Sequence, residues 1–203
     1  MIRHVWFDFS YTIAFPAEEM HKKLLYDTYA EVVGKEVSEE LIEEYKTLFA
    51  KAKSNSGVFT ALGKNADFWS ERLAAVDPKI LFRLGSPDIP SVLATLKERV
   101  PISIWSNIYA ARVLPALGIE TSWFTNILGP DDVKNPKPAL DGFNMIIERS
   151  ALPPEEILFV GDSVEKEMIP AKSVGLQTGI MWTSSPEADY SFGGFQELLE
   201  VVK

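Results

Sequence analysis

The chain has 203 residues, 46% of them hydrophobic, and carries a net charge of −9 from 20 basic and 29 acidic side chains. That length fits one core domain with an inserted subdomain, and so acidic a balance excludes the broad basic field that holds nucleic acid or an anionic membrane surface. Cysteine is absent, which removes disulfide frameworks, thiol nucleophiles and thiolate zinc sites.

Met1–His4 leads within a few residues to Asp8, with no signal-like segment, and no apolar run is long enough to cross a bilayer. A cytoplasmic protein is the expectation. Val5-Trp6-Phe7, bounded by Asp8, is rich in strand-favouring residues and reads as a buried strand. From about residue 16 to 76 the character changes. Met20, Leu24, Leu25, Thr28, Val32 and Val33 recur at helical spacing, as do Leu41, Ile42, Tyr45, Leu48 and Phe49. Gly34 suits a helix end and Ser38-Glu39-Glu40 a helix start. Ser54-Asn55-Ser56-Gly57 reads as a loop, and Phe68-Trp69 with Leu73 as a further helix.

Ser86-Pro87 is expected to open another helix, running to about Arg99. Strands and helices then alternate. Ile102–Trp105, the stretch near Phe124–Leu128, Ile157–Val160 and Thr178–Trp182 read as strands. Between and after them, Ala110–Leu117, Ala139–Arg149, Glu165–Val174 and Phe195–Val202 read as helices. Such alternation predicts an α/β fold, a Rossmann-like parallel sheet flanked by helices. The expected division is residues 1–15 and 77–203 as the α/β core domain, with 16–76 as an inserted helical cap subdomain.

Ligands of open α/β sheets sit beyond the carboxyl ends of the strands, so the residues that follow each apolar run matter most. Asp8 follows the first, Ser106-Asn107 follow Ile102–Trp105, and Gly161-Asp162-Ser163 follow Ile157–Val160. The segment Lys134-Asn135-Pro136-Lys137-Pro138 precedes a helix. Two aspartates brought together repel unless a cation intervenes. A hard divalent ion with oxygen ligands answers that need, and Mg2+ suits one or two carboxylates plus substrate phosphate oxygens. Lys137 and Ser106 would then bind the substrate's remaining oxygens, leaving Asp8 as a carboxylate nucleophile.

Four segments in this order resemble the haloacid dehalogenase superfamily, and the resemblance runs over nearly the whole chain. Val5-Trp6-Phe7-Asp8-Phe9-Ser10-Tyr11-Thr12 stands where that family has a strand followed by Asp-x-Asp-x-Thr. Ile104-Trp105-Ser106-Asn107 matches its strand ending in Ser or Thr, Lys137-Pro138 its lysine before a helix, and Gly161-Asp162 through Glu167 its acidic fourth motif. The resemblance implies Asp8 and Asp162 as Mg2+ ligands, the Ser10 backbone carbonyl as another, and Glu167 as a support of the metal shell. It implies phosphate contacts from Thr12, Ser106, Asn107 and Lys137. The position of the helical segment resembles the family's small cap subtype, which closes over the site. The expected activity is a phosphatase of a small phosphorylated metabolite, with neither nucleic acid nor membrane as partner, acting as a monomer or homodimer.

One position departs from the pattern. Phosphatases of the family carry a second aspartate where this chain has Ser10, and that aspartate protonates the leaving oxygen and then activates water. Serine cannot do either near neutral pH, a loss that typically costs about 10²–10⁴ in rate. Tyr11 also replaces a usual glycine. Two other readings therefore stand beside the first: a dehalogenase-type or other C–X hydrolase, and a catalytically impaired homologue that binds a ligand or a protein. Asp162 with Ser163 resembles the metal-binding form of the fourth motif rather than the dehalogenase form. His4 and His21 read as structural, and Trp69 as core or cap interface, with a place in a substrate pocket as its alternative.

Overall fold

A computed structural model describes residues 1–203. Its centre is β1 (His4–Phe7), four consecutive buried residues. The insertion begins with β2 (Ala14–Pro16) and continues through α1 (Glu18–Val33), α2 (Glu39–Ala52), α3 (Asn55–Ala61) and α4 (Phe68–Ala74). After α5 (Pro78–Leu81), β3 (Phe82–Leu84) returns to pair antiparallel with β2. The core then runs α6 (Ile89–Leu96), β4 (Ile102–Trp105), α7 (Ala110–Val113), β5 (Asn126–Leu128), α8 (Asp141–Ser150), β6 (Ile157–Gly161), α9 (Ile169–Ser173), β7 (Gln177–Met181), β8 (Tyr190–Phe192) and α10 (Leu198–Val201).

The main sheet has six strands in the order β5-β4-β1-β6-β7-β8, every pair parallel. Its period of two divides the interior. Val5, Phe7, Ile102, Ile104, Leu158 and Val160 face one cluster, which α6 completes with Val92, Leu93 and Leu96. Trp6, Trp105 and Phe159 face the other, closed by Phe143 and Ile146 of α8 and by Met168 and Ala171. Helices thus cover both faces, as a buried parallel sheet requires. No helix is long and apolar enough to cross a membrane.

The helical insertion has the caps its sequence calls for. Gly34 takes the left-handed conformation (φ 70°) at the end of α1, and the Ser38 side chain accepts from Leu41 N–H at the start of α2. The antiparallel β2–β3 pair ties together the two chain segments that join the insertion to the core. Three-residue strands this far apart in sequence leave no periodic trace.

Several boundaries differ from expectation. Ser54–Gly57 is no loop: Ser54 caps α3 by accepting from Gly57 N–H at 3.0 Å, and a serine that suits a turn suits an N-cap equally well. The helix expected from Ser86-Pro87 starts at Ile89, because the Ser86 hydroxyl bonds the Asp88 carboxylate inside a turn. Glu165–Val174 is a π-helical turn, Val164–Met168, followed by α9. Ala110–Leu117 and Phe195–Val202 each divide into a short α-helix and a 3-10 turn. Strand β8, at the sheet edge, was not expected.

His4, 3% exposed at the start of β1, holds Ser103 Oγ of β4 at 2.9 Å through Nε2. Burial pushes its imidazole down to about 4. The unfolded chain therefore takes up a proton below pH ~6.5 that the native state refuses, so stability falls with pH from there to about 4, by about 3 kcal/mol in total. His4→Gln keeps a neutral hydrogen-bonding group, and its unfolding free energy in urea should decline less steeply over that window. An unchanged slope would contradict the assignment.

Candidate active site

Because the strands are parallel, their carboxyl ends share one edge, and the central position of β1 places Asp8 between the ends of β4 and β6. Asp8 N–H donates to Val160 O at 2.8 Å, which extends the β1–β6 pairing to the nucleophile candidate. Ser106 N–H likewise donates to Leu128 O at 3.1 Å, fixing the end of β4. After β6 the backbone turns through Gly161 to Asp162.

Lys137 joins these turns. It is 1% exposed, and its ammonium donates to Asp8 Oδ1 (2.5 Å), Glu167 Oε1 (2.7 Å) and Trp105 O (3.2 Å). Those three acceptors match its three N–H groups. The Trp105 and Phe159 rings enclose it, with centroids 5.1 and 5.4 Å from Nζ. Its main chain is gripped by Asn107, whose Oδ1 accepts from Lys137 N–H at 2.8 Å and whose Nδ2 donates to Lys137 O at 3.3 Å. Lys134, by contrast, is exposed.

Glu167 is fully buried. Its second oxygen, Oε2, accepts from the N–H groups of Asp162 (3.0 Å) and Ser163 (3.2 Å), so the glutamate braces the turn that carries Asp162. The π-helical turn lets Glu167 and Met168 both donate to Ser163 O, a local geometry often found at functional positions. Glycine is required at 161, since a Cβ there would lie 2.1 Å from Glu167 Oε2.

Asp8, Asp162 and Glu167 present carboxylate oxygens that all lie within 4.8 Å of one another. Burial, then the neighbouring Glu167, pushes Asp162 up to about 7. The same two causes raise Asp8, against the pull of Lys137. Burial disfavours ionised Glu167 too, but Lys137 and Lys166 outweigh it and hold that carboxyl below its ordinary value. Asp8 Oδ2 and Asp162 Oδ1 are buried without a hydrogen-bond donor. Two unpartnered carboxylate oxygens in a cluster of three acids fit a hard divalent cation, and Mg2+ meets that requirement.

The cluster opens on a cavity of about 380 Å3 between core and insertion, which Asp8, Ser10, Ser106, Asn107 and Lys137 line from the core side. Three serines seal the two parts together. Ser54 Oγ donates to Lys137 O, Ser56 Oγ donates to Asn107 O, and Ser70 Oγ accepts from Tyr109 N–H. Asn107 commits its amide to Lys137, and the Ser106 hydroxyl accepts from Ile108 N–H at 3.3 Å. Thr12 does not line the cavity; its hydroxyl is buried without a partner, while its carbonyl accepts from Trp182 Nε1 at 3.1 Å. Tyr11 lines it with φ 63°, a conformation that glycine takes freely and that costs other residues about 1–2 kcal/mol.

Two lining residues, Lys166 and His21, were not expected at the site. Lys166 lines the cavity, 3.9 Å from Asp162 Oδ1, and although burial opposes its charge, Glu167, Asp8 and Asp162 raise its pKa. Its place beside Glu167 on a turn expected to be ordinary solvated helix hid it. His21, read as structural, lines the cavity together with Trp69, and the two pack edge to face at 5.5 Å.

Lys137→Met, studied free of divalent ions at neutral pH, should lower the unfolding free energy by about 3–5 kcal/mol, because it strips a buried carboxylate cluster of its central counter-ion. Urea unfolding measures this, and a loss below about 1 kcal/mol would contradict the electrostatic reading.

Comparison with known proteins agrees with this geometry. Phosphoglycolate phosphatase from Escherichia coli (strain K12) is 33% identical over 93 residues, 44% of this chain and 36% of that protein, so the chain spans little more than a third of that relative's length. Among solved structures, the HAD phosphatase from Thermococcus onnurineus superposes with a TM-score of 0.74 at 23% identity, covering 98% of this chain and 97% of the other. YfnB from Bacillus subtilis, solved bound to magnesium, superposes with a TM-score of 0.65 at 20% identity over 100% of this chain and 99% of its own. At those identities the likeness shows the fold. A family model described as haloacid dehalogenase-like hydrolase matches residues 4–175, and the chain belongs to that family.

Proposed function

We propose that this protein is a magnesium-dependent phosphatase of a small phosphorylated metabolite, acting through an aspartyl-phosphate on Asp8. The observation that carries the reading is the state of Asp8 itself. It is buried at the foot of a cavity, anchored through Oδ1 to Lys137, and its Oδ2 is left without a donor. A carboxylate oriented by one oxygen and unpartnered at the other is prepared to attack. The phosphatase among the relatives and the magnesium bound to one structural neighbour support the same class.

Asp8, Asp162 and the Ser10 carbonyl would hold the ion, with Glu167 fixing the turn beneath Asp162. Magnesium, when bound, neutralises the carboxylates and polarises the phosphoryl group. Lys137 holds Asp8 ionised and in place, and brings positive charge to the transferring group. Ser106 offers its hydroxyl to a phosphoryl oxygen. Asn107 acts through Lys137 by fixing its backbone. An Asp8 oxygen forms a bond to phosphorus as the ester oxygen departs, and water later displaces Asp8 and releases phosphate. Ser10 gives neither an acid for the first step nor a base for the second, so both steps are slowed.

Phosphate release from a panel of phosphate esters, with Mg2+ and with EDTA, tests the reading. Activity should require Mg2+ and vanish in Asp8→Asn. Acid-quenched samples should contain phosphoenzyme during turnover, and Ser10→Asp should raise the steady rate by about 10²-fold or more. Turnover that survives EDTA without phosphate release would point instead to C–X hydrolysis. If the natural protein is inert and Ser10→Asp alone is active, a ligand-binding role replaces the enzymatic one.

A further inference from the structure

The walls of the cavity speak to the chemistry of the leaving group. Asp8 is the only carboxyl among the residues that line it, and Asp8 is the attacking group. Several of the other protonatable groups are committed elsewhere. Burial pushes the His21 imidazole down to about 4, so it holds no second proton at neutral pH. The Tyr45 hydroxyl donates to Asn55 Oδ1 at 2.5 Å, and burial raises its pKa. Lys53 pairs with Glu165 at 2.6 Å, and Lys22 and Lys46 pair with glutamates of their own helices. Lys166 lies 3.9 Å from Asp162 Oδ1, on the side of the carboxylate cluster. The lining thus offers no carboxyl, other than the attacking one, to protonate an aliphatic alkoxide.

The cap wall adds an independent observation. It presents the aromatic rings of Tyr26, Tyr45, Phe49 and Trp69. These rings support one another. Trp69 stacks on Phe59 at 5.6 Å, Tyr45 meets Tyr26 at 5.7 Å, and Phe49 lies 6.2 Å from Tyr45 while 40% of its surface stays exposed. The cavity, about 380 Å3, falls within the range of roughly 300–1,000 Å3 that houses ring-sized organic ligands. A two- or three-carbon polar phosphate would leave that wall uncovered.

We infer, building on the phosphatase reading, that the site takes phosphate monoesters of ring-bearing, phenol-type hydroxyls in preference to esters of aliphatic alcohols. A phenol ionises near pH 10, against about 15.7 for water, so a phenolic oxygen departs as an anion without a proton donor. In the first step an Asp8 oxygen bonds to phosphorus, the P–O(aryl) bond breaks, and its electron pair leaves on the aryloxide. Water then adds to phosphorus and the Asp8 carboxylate departs. Of the two water protons, one stays on phosphate and the other, through solvent, neutralises the aryloxide. The balance is aryl phosphate plus water giving phenol plus hydrogen phosphate.

Phenyl, benzyl and ethyl phosphate with Mg2+ separate the two effects, since phenyl and benzyl share a ring while benzyl and ethyl share an alcohol leaving group. The expected order is phenyl phosphate above benzyl by about 10²-fold or more in kcat/KM, and benzyl above ethyl through KM. Ser10→Asp should narrow the phenyl–benzyl gap. Phe49→Ala should raise KM for phenyl phosphate about three- to tenfold. If the natural protein turns over all three esters within tenfold, the inference falls while the phosphatase reading stands. If it and Ser10→Asp hydrolyse none, both fall.

Discussion

The structure turns on one buried ammonium. Lys137 reaches Asp8, Glu167 and a main-chain carbonyl from a loop far away in sequence, and each contact belongs to a different strand end. Three carboxylates this close repel one another, and burial sharpens the repulsion. Lys137 and Lys166 answer part of that repulsion, and two carboxylate oxygens stay without a partner. A buried cluster with that remainder is poorly explained as a stabilising device, since desolvating its charges costs more than an apolar replacement would. Its arrangement supports the proposal of a site for a divalent cation and a phosphate.

The rest of the fold follows from the need to hold those groups together. β1 lies between β4 and β6, so Asp8, Ser106 and Asp162 emerge side by side. The π-helical turn and Gly161 let Glu167 fold back beneath Asp162. Asn107 grips the Lys137 backbone, and Ser54 of the insertion bonds the same carbonyl. The inserted helices are therefore joined directly to the segment that carries Lys137.

Much of this was legible in the residues. Buried strands such as Ile157–Val160 declare themselves by continuous apolar runs, and the polar residues that follow them mark the site because parallel strands share one functional edge. Lys137-Pro138, rather than Lys134, matches the family's lysine before a helix, and of the two lysines only Lys137 is buried. Less accessible were features with no periodic signature. The β2–β3 pair is three residues long, and the turn at Val164–Met168 shares its composition with an ordinary helix. Ser54 signals a turn and an N-cap alike. Lys166 and the cavity face of Trp69 depend on how the insertion packs against the core, which no local pattern encodes. Asn107 was expected at the phosphate, whereas its amide grips the main chain of Lys137, a distinction of a few ångströms that sequence spacing does not resolve.

Magnesium binding at equilibrium probes the carboxylate cluster most directly. Thermal unfolding of the protein at neutral pH, titrated with Mg2+, should show saturable stabilisation, about 2.7 kcal/mol at a hundred times the dissociation constant, and Asp162→Asn should abolish most of it. A melting temperature indifferent to Mg2+, or an equal shift in Asp162→Asn, would contradict a cation site built by Asp8, Asp162 and Glu167.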